Sequence, residues 1–240
     1  MAISTTRLDR FISESCLVNR KSVRLILAQK RVYVDGRVAS DIAQLVDKFS
    51  HITLDNKVLQ SNQAHYIMLN KPIGVVCATK DDKHKTVIDL LAPLFAQNIR
   101  DSLHIVGRLD LNTSGLVLLT NDSRWSERLT SPEHKIAKHY HVTLEQPLTT
   151  EYIGAFAKGM YFSYEKITTQ PAVLHILSTY EAEVTLTEGR YHQIKRMFGR
   201  FDNKVLALHR FAIGKLALDG NLNTGESRSL ERFEIMNISG

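Results

Sequence analysis

The chain reads, from residue 103 to residue 120, Leu103-His-Ile-Val-Gly107-Arg108-Leu-Asp110-Leu-Asn-Thr-Ser-Gly115-Leu-Val-Leu-Leu-Thr120. Two apolar runs, at 103–106 and 116–120, predict strands, and the loop between them carries Asp110 with a glycine on either side. A loop at the end of a strand is a place where a rigid scaffold can present a reacting group. Taken alone, the pattern favours the simpler interpretation of Asp110 as a turn residue that bonds its own backbone.

Strands and helices are mixed on both sides of this stretch. Period-two alternation and short apolar runs predict further strands at 65–70, 75–78, 140–144, 172–177, 182–187 and 204–208. Helices are predicted at 86–94, after the capping residue Asp122, at 150–158 and at 191–201. This order, with strands that follow one another directly, indicates an α+β fold whose sheet is largely antiparallel and is flanked by helices.

The first 60 residues have a pattern of their own. Asn19 can cap a helix over residues 20–29 whose apolar stripe leaves its basic residues, Arg20, Lys21 and Arg24, on the outer side. Asp35-Gly36 predicts a hairpin within 31–38, and the run 52–59 predicts two more strands. We therefore expect a small α/β module over residues 1–60 and a larger domain over residues 61–240.

Positive charge is concentrated in this small module. The chain has a net charge of +6, and residues 1–61 hold ten Lys and Arg against six Asp and Glu. The segment from position 20 to position 37 contains six basic residues, which include Arg31, and a single acid, Asp35. Such density predicts a polyphosphate partner, since neutralised phosphates release condensed counterions. A solvated basic face without a ligand is the alternative.

Composition and spacing narrow the classes of function. The chain is 43% hydrophobic and 23% charged, as in ordinary globular proteins, and no run approaches the roughly 18 apolar residues of a membrane span. Its start does not resemble a signal peptide, so we expect a cytoplasmic protein without a membrane partner. The cysteines, Cys16 and Cys77, lack metal-ligand spacing, and no glycine-rich phosphate loop is present. Among the ten histidines, the spacing of His139 and His141 on a strand could serve a metal, but no third ligand is evident. Neither a metal nor a cofactor is expected.

A second segment carries side chains that suit a functional site. It reads Glu188-Gly-Arg190-Tyr-His192-Gln-Ile194-Lys195-Arg-Met197 and places cations and two amphipathic rings where a strand passes into a helix. The start of a helix offers free N–H groups and a positive dipole end, both of which suit phosphates. A basic, exposed helix start without a ligand explains the segment equally well.

Together the two segments resemble the RsuA-type pseudouridine synthases. Further motifs follow in the expected order: Lys71-Pro72 with Gly74, Lys138-His-Tyr140, and Leu208-His-Arg210 with Ile213-Gly214. Arg7-Leu-Asp-Arg-Phe11, the basic helix and residues 32–38 are similar to the S4-type RNA-binding module. The resemblance covers nearly the whole chain. The signature around Asp110 is highly specific, whereas unrelated RNA-binding proteins carry the N-terminal module.

This resemblance implies the isomerisation of uridine to pseudouridine in ribosomal RNA without a cofactor. The motifs around Tyr140, Ile194 and Arg210 are closer to the 16S rRNA enzyme than to its 23S rRNA paralogues, which points to uridine 516 during small-subunit maturation. The implied partner is 16S rRNA in an assembling small subunit, and a monomer is expected. The alternatives are a 23S rRNA enzyme, a non-catalytic ribosome-assembly factor, and an RNA-guided glycosylase-like enzyme or hydrolase.

The resemblance also implies a role for individual residues. Asp110 would be the essential carboxylate and Lys195 its cationic partner, while Tyr140 would stack on uracil and take or relay the proton on carbon 5. Ile194 would pack on the other side of the ring. Whether the carboxylate attacks the sugar or the base, or removes a sugar proton, stays open. The residues expected to contact RNA or support the pocket are Arg108, Arg190, His192, Arg20, Lys21, Arg24 and Arg31.

Overall fold

The computed structural model describes residues 5–238 of the chain. These residues fall into two compact units, which divide between Ala64 and His65. The first unit contains β1 (Thr6–Arg7), α1 (Leu8–Cys16), α2 (Arg20–Ala28), β2 (Val32–Val34), β3 (Arg37–Val38), β4 (Leu45–Val46), β5 (Ile52–Leu54) and β6 (Lys57–Gln60). No helix within residues 5–238 is long and apolar enough to cross a membrane.

The second unit alternates strands and helices. It contains β7 (Tyr66–Lys71), α3 (Gln97–Ser102), β8 (His104–Val106), β9 (Ser114–Thr120), α4 (Ser123–Thr130), β10 (Lys138–Leu144), α5 (Glu151–Lys158), β11 (Tyr161–Phe162), β12 (Ile167–Thr168), β13 (Val173–Ile176), β14 (Glu181–Leu186), α6 (Gln193–Gly199), β15 (Val205–Ile213), β16 (Leu216–Ala217), β17 (Ser227–Ser229) and α7 (Arg232–Asn237).

Local signals specify much of the first unit. Asn19 caps α2, since its side-chain oxygen accepts a hydrogen bond from the backbone N–H of Ser22 at 2.9 Å. Asp35 and Gly36 take φ values of 51° and 77°, which a tight hairpin turn between β2 and β3 requires. The predicted helix and hairpin are therefore confirmed. Apolar residues of α1 and α2 pack on a four-stranded sheet in the order β3-β2-β5-β6.

The second unit is organised around one sheet in the order β13-β14-β10-β15-β9-β7-β17, with β16 beside β15 and β8 beside β9. The contact between β15 and β9 is parallel, and the other strand pairs of this sheet are antiparallel. The predicted α+β fold with a largely antiparallel sheet is confirmed.

Helices cover both faces of this sheet. On one face, Phe156 of α5 and Phe198 of α6 join a core that includes Val117 and Leu119 of β9. On the other face, Trp125 of α4 packs with Leu116 and Leu118 from the same strand. Alternate residues of β9 therefore enter two different cores, which is why the strand is an unbroken apolar run. The candidate site lies on the α5–α6 face.

Two predicted elements are wrong. Residues 75–78 do not form a strand, because Val76 makes only an isolated bridge with Thr86. Residues 86–94 do not form an α-helix. Thr86 and Asp89 bond each other reciprocally, as the cap of a helix does, but only a short 3-10 turn, Asp89–Leu91, follows them. Pro93 then has no N–H with which to continue a helix. A turn-rich segment replaces both elements.

Candidate active site

Asp110 lies in the loop between β8 and β9, as its sequence context predicts. Gly107, at φ 70°, turns the chain out of β8, and the N–H of Thr113 donates to the carbonyl of Asp110 at 3.1 Å. The N–H of Leu109 points back to the buried sulfur of Cys77 at 3.3 Å. Burial raises the pKa of the Cys77 thiol, so it packs as a neutral group behind the loop.

Lys71, the last residue of β7, holds this loop from behind. Its side chain is fully buried, and Nζ donates to the carbonyl oxygens of Thr113 at 2.8 Å, Pro72 at 3.0 Å and Leu111 at 3.4 Å. Burial lowers the pKa of Lys71. Three carbonyl partners orient the ammonium group, and two of them, Leu111 and Thr113, belong to the turn that directly follows Asp110, so Lys71 fixes the backbone of this turn.

The carboxylate of Asp110 faces two basic side chains from a segment that comes much later in the sequence. Its Oδ2 lies 3.5 Å from Nζ of Lys195 and 3.4 Å from Nε2 of His192. The side chains of Asp110 and Lys195 are 32% and 28% exposed, so they border a cleft that is partly open to water. The two side chains form an ion pair at the edge of this cleft.

The segment before α6 is held in shape by polar contacts. The buried side chain of Gln193 accepts from the N–H of Arg190 at 3.1 Å and donates to Glu188 at 2.6 Å. Glu188 also pairs with the guanidinium of Arg190 at 2.8 Å. His192 takes a left-handed φ of 50°, which is why the predicted helix at 191–201 begins only at Gln193. This turn aims the ring of His192 at Asp110.

A cavity opens in front of the carboxylate. Tyr140 of β10 and Ile194 of α6 are both nearly buried and line it together with Leu208. The cavity wall also includes Arg108, Asp110, Arg190, His192 and Lys195. The structure therefore brings together every residue of the second unit that the sequence singled out for catalysis or for RNA and uracil contact. Their roles in the reaction stay predictions.

The side chains around this cavity can bind a planar ring and act on it chemically. A carboxylate beside an ammonium group can act as a nucleophile or as a base, and apolar and aromatic walls suit a planar ring with polar edges. Among residues 5–238 no group of three His, Cys, Asp or Glu side chains is placed to hold a metal ion.

The basic residues of the first unit are described separately. Arg20, Lys21 and Arg24 are exposed on α2, as predicted from its apolar stripe. Arg31 differs from them, because its guanidinium donates to the carboxylate of Asp55 and to Gln29. This pairing raises the pKa of Arg31 and lowers that of Asp55. Arg31 therefore contributes less free positive charge than its position in the sequence suggested.

Sequence reasoning missed the supporting residues of the site. Lys71 belonged to a quoted motif but received no role, because a lysine at a strand end is normally solvated. Gln193 lay inside the second segment, and nothing in that segment indicated that its side chain is buried. The available signal for Lys71 was its position directly after an apolar strand and before a proline.

Comparisons with known proteins agree with this geometry. A model of the RNA pseudouridylate synthase family matches residues 65–199. The ribosomal small subunit pseudouridine synthase A of Pseudomonas aeruginosa is 46% identical over 233 residues, which are 97% of this chain and 100% of that protein. The protein of the same name from Escherichia coli is 41% identical and covers 97% and 99% of the two chains. A crystal structure of a pseudouridylate synthase matches with a TM-score of 0.70 and 39% identity, over 98% and 100%.

The fold and the site thus define an RNA-modifying isomerase. The similarity extends over nearly the full length of this chain and of its relatives, so it includes both compact units. The chain belongs to the RNA pseudouridylate synthase family, and the resemblance to its RsuA-type members is confirmed.

Proposed function

We propose that this enzyme converts one uridine of 16S rRNA, uridine 516, to pseudouridine during maturation of the small ribosomal subunit. The names of the relatives from Pseudomonas aeruginosa and Escherichia coli, both small-subunit pseudouridine synthases, support ribosomal RNA as the substrate. The motifs around Tyr140, Ile194 and Arg210 support the 16S molecule over the 23S molecule. A ribosomal RNA substrate also supports a cytoplasmic location, and we propose that the enzyme acts as a monomer.

The observation that carries the proposal is the carboxylate of Asp110, 3.5 Å from the ammonium of Lys195, at a cavity lined by Tyr140. Isomerisation breaks the glycosidic bond, turns the free uracil and rejoins it through carbon 5. We assign the essential carboxylate to Asp110 and its orientation to Lys195 and His192. The overall reaction is redox-neutral and transfers nothing to a second molecule, so the site needs to retain the detached base.

Tyr140 and Ile194 are the residues we assign to that retention. Both line the cavity and are almost fully buried, so an inserted uracil would meet an aromatic ring and an aliphatic side chain. The target nucleotide must leave its stack to reach them, at a cost of a few kcal/mol. Arg108 is exposed on the loop of Asp110, where its guanidinium can fill the vacated space or contact a neighbouring phosphate.

We propose that residues 1–60 form an S4-type RNA-binding domain in front of a catalytic domain over residues 61–240. Support comes from the exposed basic residues of α2 and from the separate core of the first unit. Neutralising Arg20, Lys21 and Arg24 together by substitution with Gln should weaken RNA binding and reduce its salt dependence. Arg31→Gln is the matched control, and we expect a smaller effect because Asp55 already pairs with Arg31. If Arg31→Gln weakens RNA binding as much as the triple variant does per charge removed, the assignment of RNA binding to the exposed residues of α2 is contradicted.

The decisive test is Asp110→Asn, which removes the negative charge and keeps the shape of the side chain. We expect this variant to fold and to bind 16S rRNA, but to form no pseudouridine when the RNA is treated with carbodiimide and read by primer extension. Retained activity would remove Asp110 from its role. With the wild-type protein, primer extension stops at the modified uridine, and the position of this stop identifies that uridine. A stop in 23S rRNA would refute the 16S assignment.

A non-catalytic assembly factor predicts a different result. In that case the wild-type protein would bind 16S rRNA and leave no carbodiimide-dependent stop, and Asp110→Asn would behave as the wild type does.

A further inference from the structure

A second cavity adjoins the one that holds Asp110. The two cavities share Arg108, Tyr140, Gly189 and Arg190 in their walls. The second cavity also has Lys138 of β10 and Arg210 of β15 in its wall, and neither lines the first. We name the part of the wall formed by Lys138, Arg210 and Arg108 the basic subsite.

Arg210 is a buried charge without a counter-charge. Its side chain is 3% exposed, and Nε donates to the carbonyl of Leu116 at 2.9 Å. Nη2 is buried and has no hydrogen-bond partner. Within residues 5–238 no acid pairs with Arg210. A buried guanidinium that lacks a carboxylate is unfavourable in the free protein, so its wall position points to an anion that binds there.

Lys138 adds a second cation on the same face of the sheet. It lies two residues before Tyr140 on β10, and Tyr140 pairs directly with Arg210 on β15. Lys138 is half-buried, and burial, followed by the charge of Arg210, lowers its pKa. No described residue forms a hydrogen bond or an ion pair with the side chain of Lys138. Two cations held together in this way repel each other until an anion lies between them.

The acids in the wall of the second cavity do not neutralise these cations. Glu165 is bound to both terminal nitrogens of Arg196, and Glu188 is occupied by Arg190 and Gln193. Arg108, by contrast, is exposed and has no acidic partner among the described residues. Lys138, Arg210 and Arg108 therefore keep their charge available to a ligand.

We propose that the basic subsite binds a backbone phosphate of the RNA beside the everted uridine. This inference rests on the proposed function, because the shared wall brings the subsite next to the cavity assigned to uracil. A nucleotide in that cavity stays joined to the chain through its phosphodiesters. Phosphate contacts fix the register of an RNA without reading its sequence. The basic subsite therefore positions the nucleotide on which Asp110 acts.

The first test measures RNA binding of Lys138→Gln in the Asp110→Asn background, with a 16S rRNA transcript and a series of KCl concentrations. Loss of one phosphate contact should weaken binding on the order of tenfold at low salt. It should also reduce the slope of log K against log salt by about 0.7 to 0.9. Lys138→Arg should retain the slope. Lys135→Gln, an equal charge change at an exposed residue outside the cavity, should match the parent.

An unchanged slope in Lys138→Gln would overturn the phosphate assignment. This outcome is distinct from failure of the proposed function, which would appear as absence of pseudouridine with the wild-type enzyme. The binding assay uses no turnover, so each result can be obtained without the other.

The second test separates an anion site from a structural lysine. Because Lys138 and Arg210 repel each other in the free protein, Lys138→Gln without RNA should have a Tm equal to or above that of the wild type. Inorganic phosphate should raise the Tm of the wild type more than that of Lys138→Gln, since a ligand stabilises the state that binds it. A lowered Tm with no difference in the response to phosphate would show a structural lysine and refute the subsite.

Discussion

Gly115 permits the close approach of β9 and β15, and Gly115→Ala should destabilise the second unit severely. Its φ is 106°, in the region that residues with a Cβ rarely adopt. A Cβ built at this position would lie 2.2 Å from the backbone oxygen of Arg210 and 2.8 Å from its nitrogen. Both distances are below the 3.0 Å that real Cβ contacts respect, and both partners are backbone atoms that cannot rotate away. The strands would therefore have to separate.

The magnitude follows from these two penalties. A left-handed conformation costs a residue with a Cβ about 1–2 kcal/mol. Separation of the strands also breaks the parallel pairing of Ser114 and Gly115 with His209 and Arg210, and each lost hydrogen bond costs about 1 kcal/mol. A loss of about 3–4 kcal/mol is expected, which is a large share of the roughly 5–15 kcal/mol that stabilises a typical domain.

Urea unfolding followed by circular dichroism measures this loss, and two other glycines serve as matched controls. Gly225 has a φ of 90°, but a Cβ added there would meet nothing within 4 Å, so Gly225→Ala should cost only the conformational part, about 1–2 kcal/mol. Gly220 has neither feature, and Gly220→Ala should change stability by less than about 0.5 kcal/mol. If Gly115→Ala unfolds within about 0.5 kcal/mol of Gly225→Ala, the clash with β15 is not what requires glycine.

Two further predictions concern Lys71 and His209. Lys71→Met leaves the carbonyl of Thr113 without its charged donor, so the loop of Asp110 loosens. Pseudouridine formation should then fall at least about tenfold, while circular dichroism shows that the fold is retained. Turnover at the wild-type rate would contradict this role of Lys71. Burial and the charge of His141 lower the pKa of His209 from 6.5, so the unfolded chain binds more protons and stability should fall as the pH drops below 6.5. His209→Gln should flatten that part of the stability–pH curve, whereas the exposed His175→Gln should not, and urea midpoints across this range distinguish the two.

Elements with a local physical signal could be predicted from the sequence. The cap at Asn19 and the hairpin at Asp35-Gly36 depend on residues within a few positions of one another, so their sequences determine them. The helix predicted at 86–94 shows the opposite case. Thr86 and Asp89 form the reciprocal bonds of a helix cap, but the turn after them is a 3-10 turn, and Pro93 cannot donate a backbone hydrogen bond to continue a helix. β17, the polar triplet Ser227–Ser229, has no apolar alternation and forms only because β7 offers it an edge.

The residues that line the cavity could be predicted because each belongs to a specific motif. Their supports could not, because a buried lysine or glutamine looks like a surface residue in sequence. The burial of Lys71 depends on where β7 ends relative to the loop of Asp110, which is separated from it by about forty residues. The role of Gln193 depends on the left-handed turn at His192. In both cases the deciding contact is made by tertiary structure.

The basic subsite depends on an irregularity that no motif encodes. Lys138 pairs with Ile213 in a register that, if continued, would place Phe211 opposite Tyr140. The register instead shifts by one residue between His139 and Tyr140, so Arg210 becomes the partner of Tyr140. Since side chains alternate between faces, this shift moves Arg210 onto the face of Tyr140 and Lys138. Without the bulge, the guanidinium would lie on the opposite side of the sheet, and Lys138 would have no second cation beside it. The bulge in β15 is therefore the structural cause of the unpaired positive charge in the cavity that adjoins the one holding Asp110.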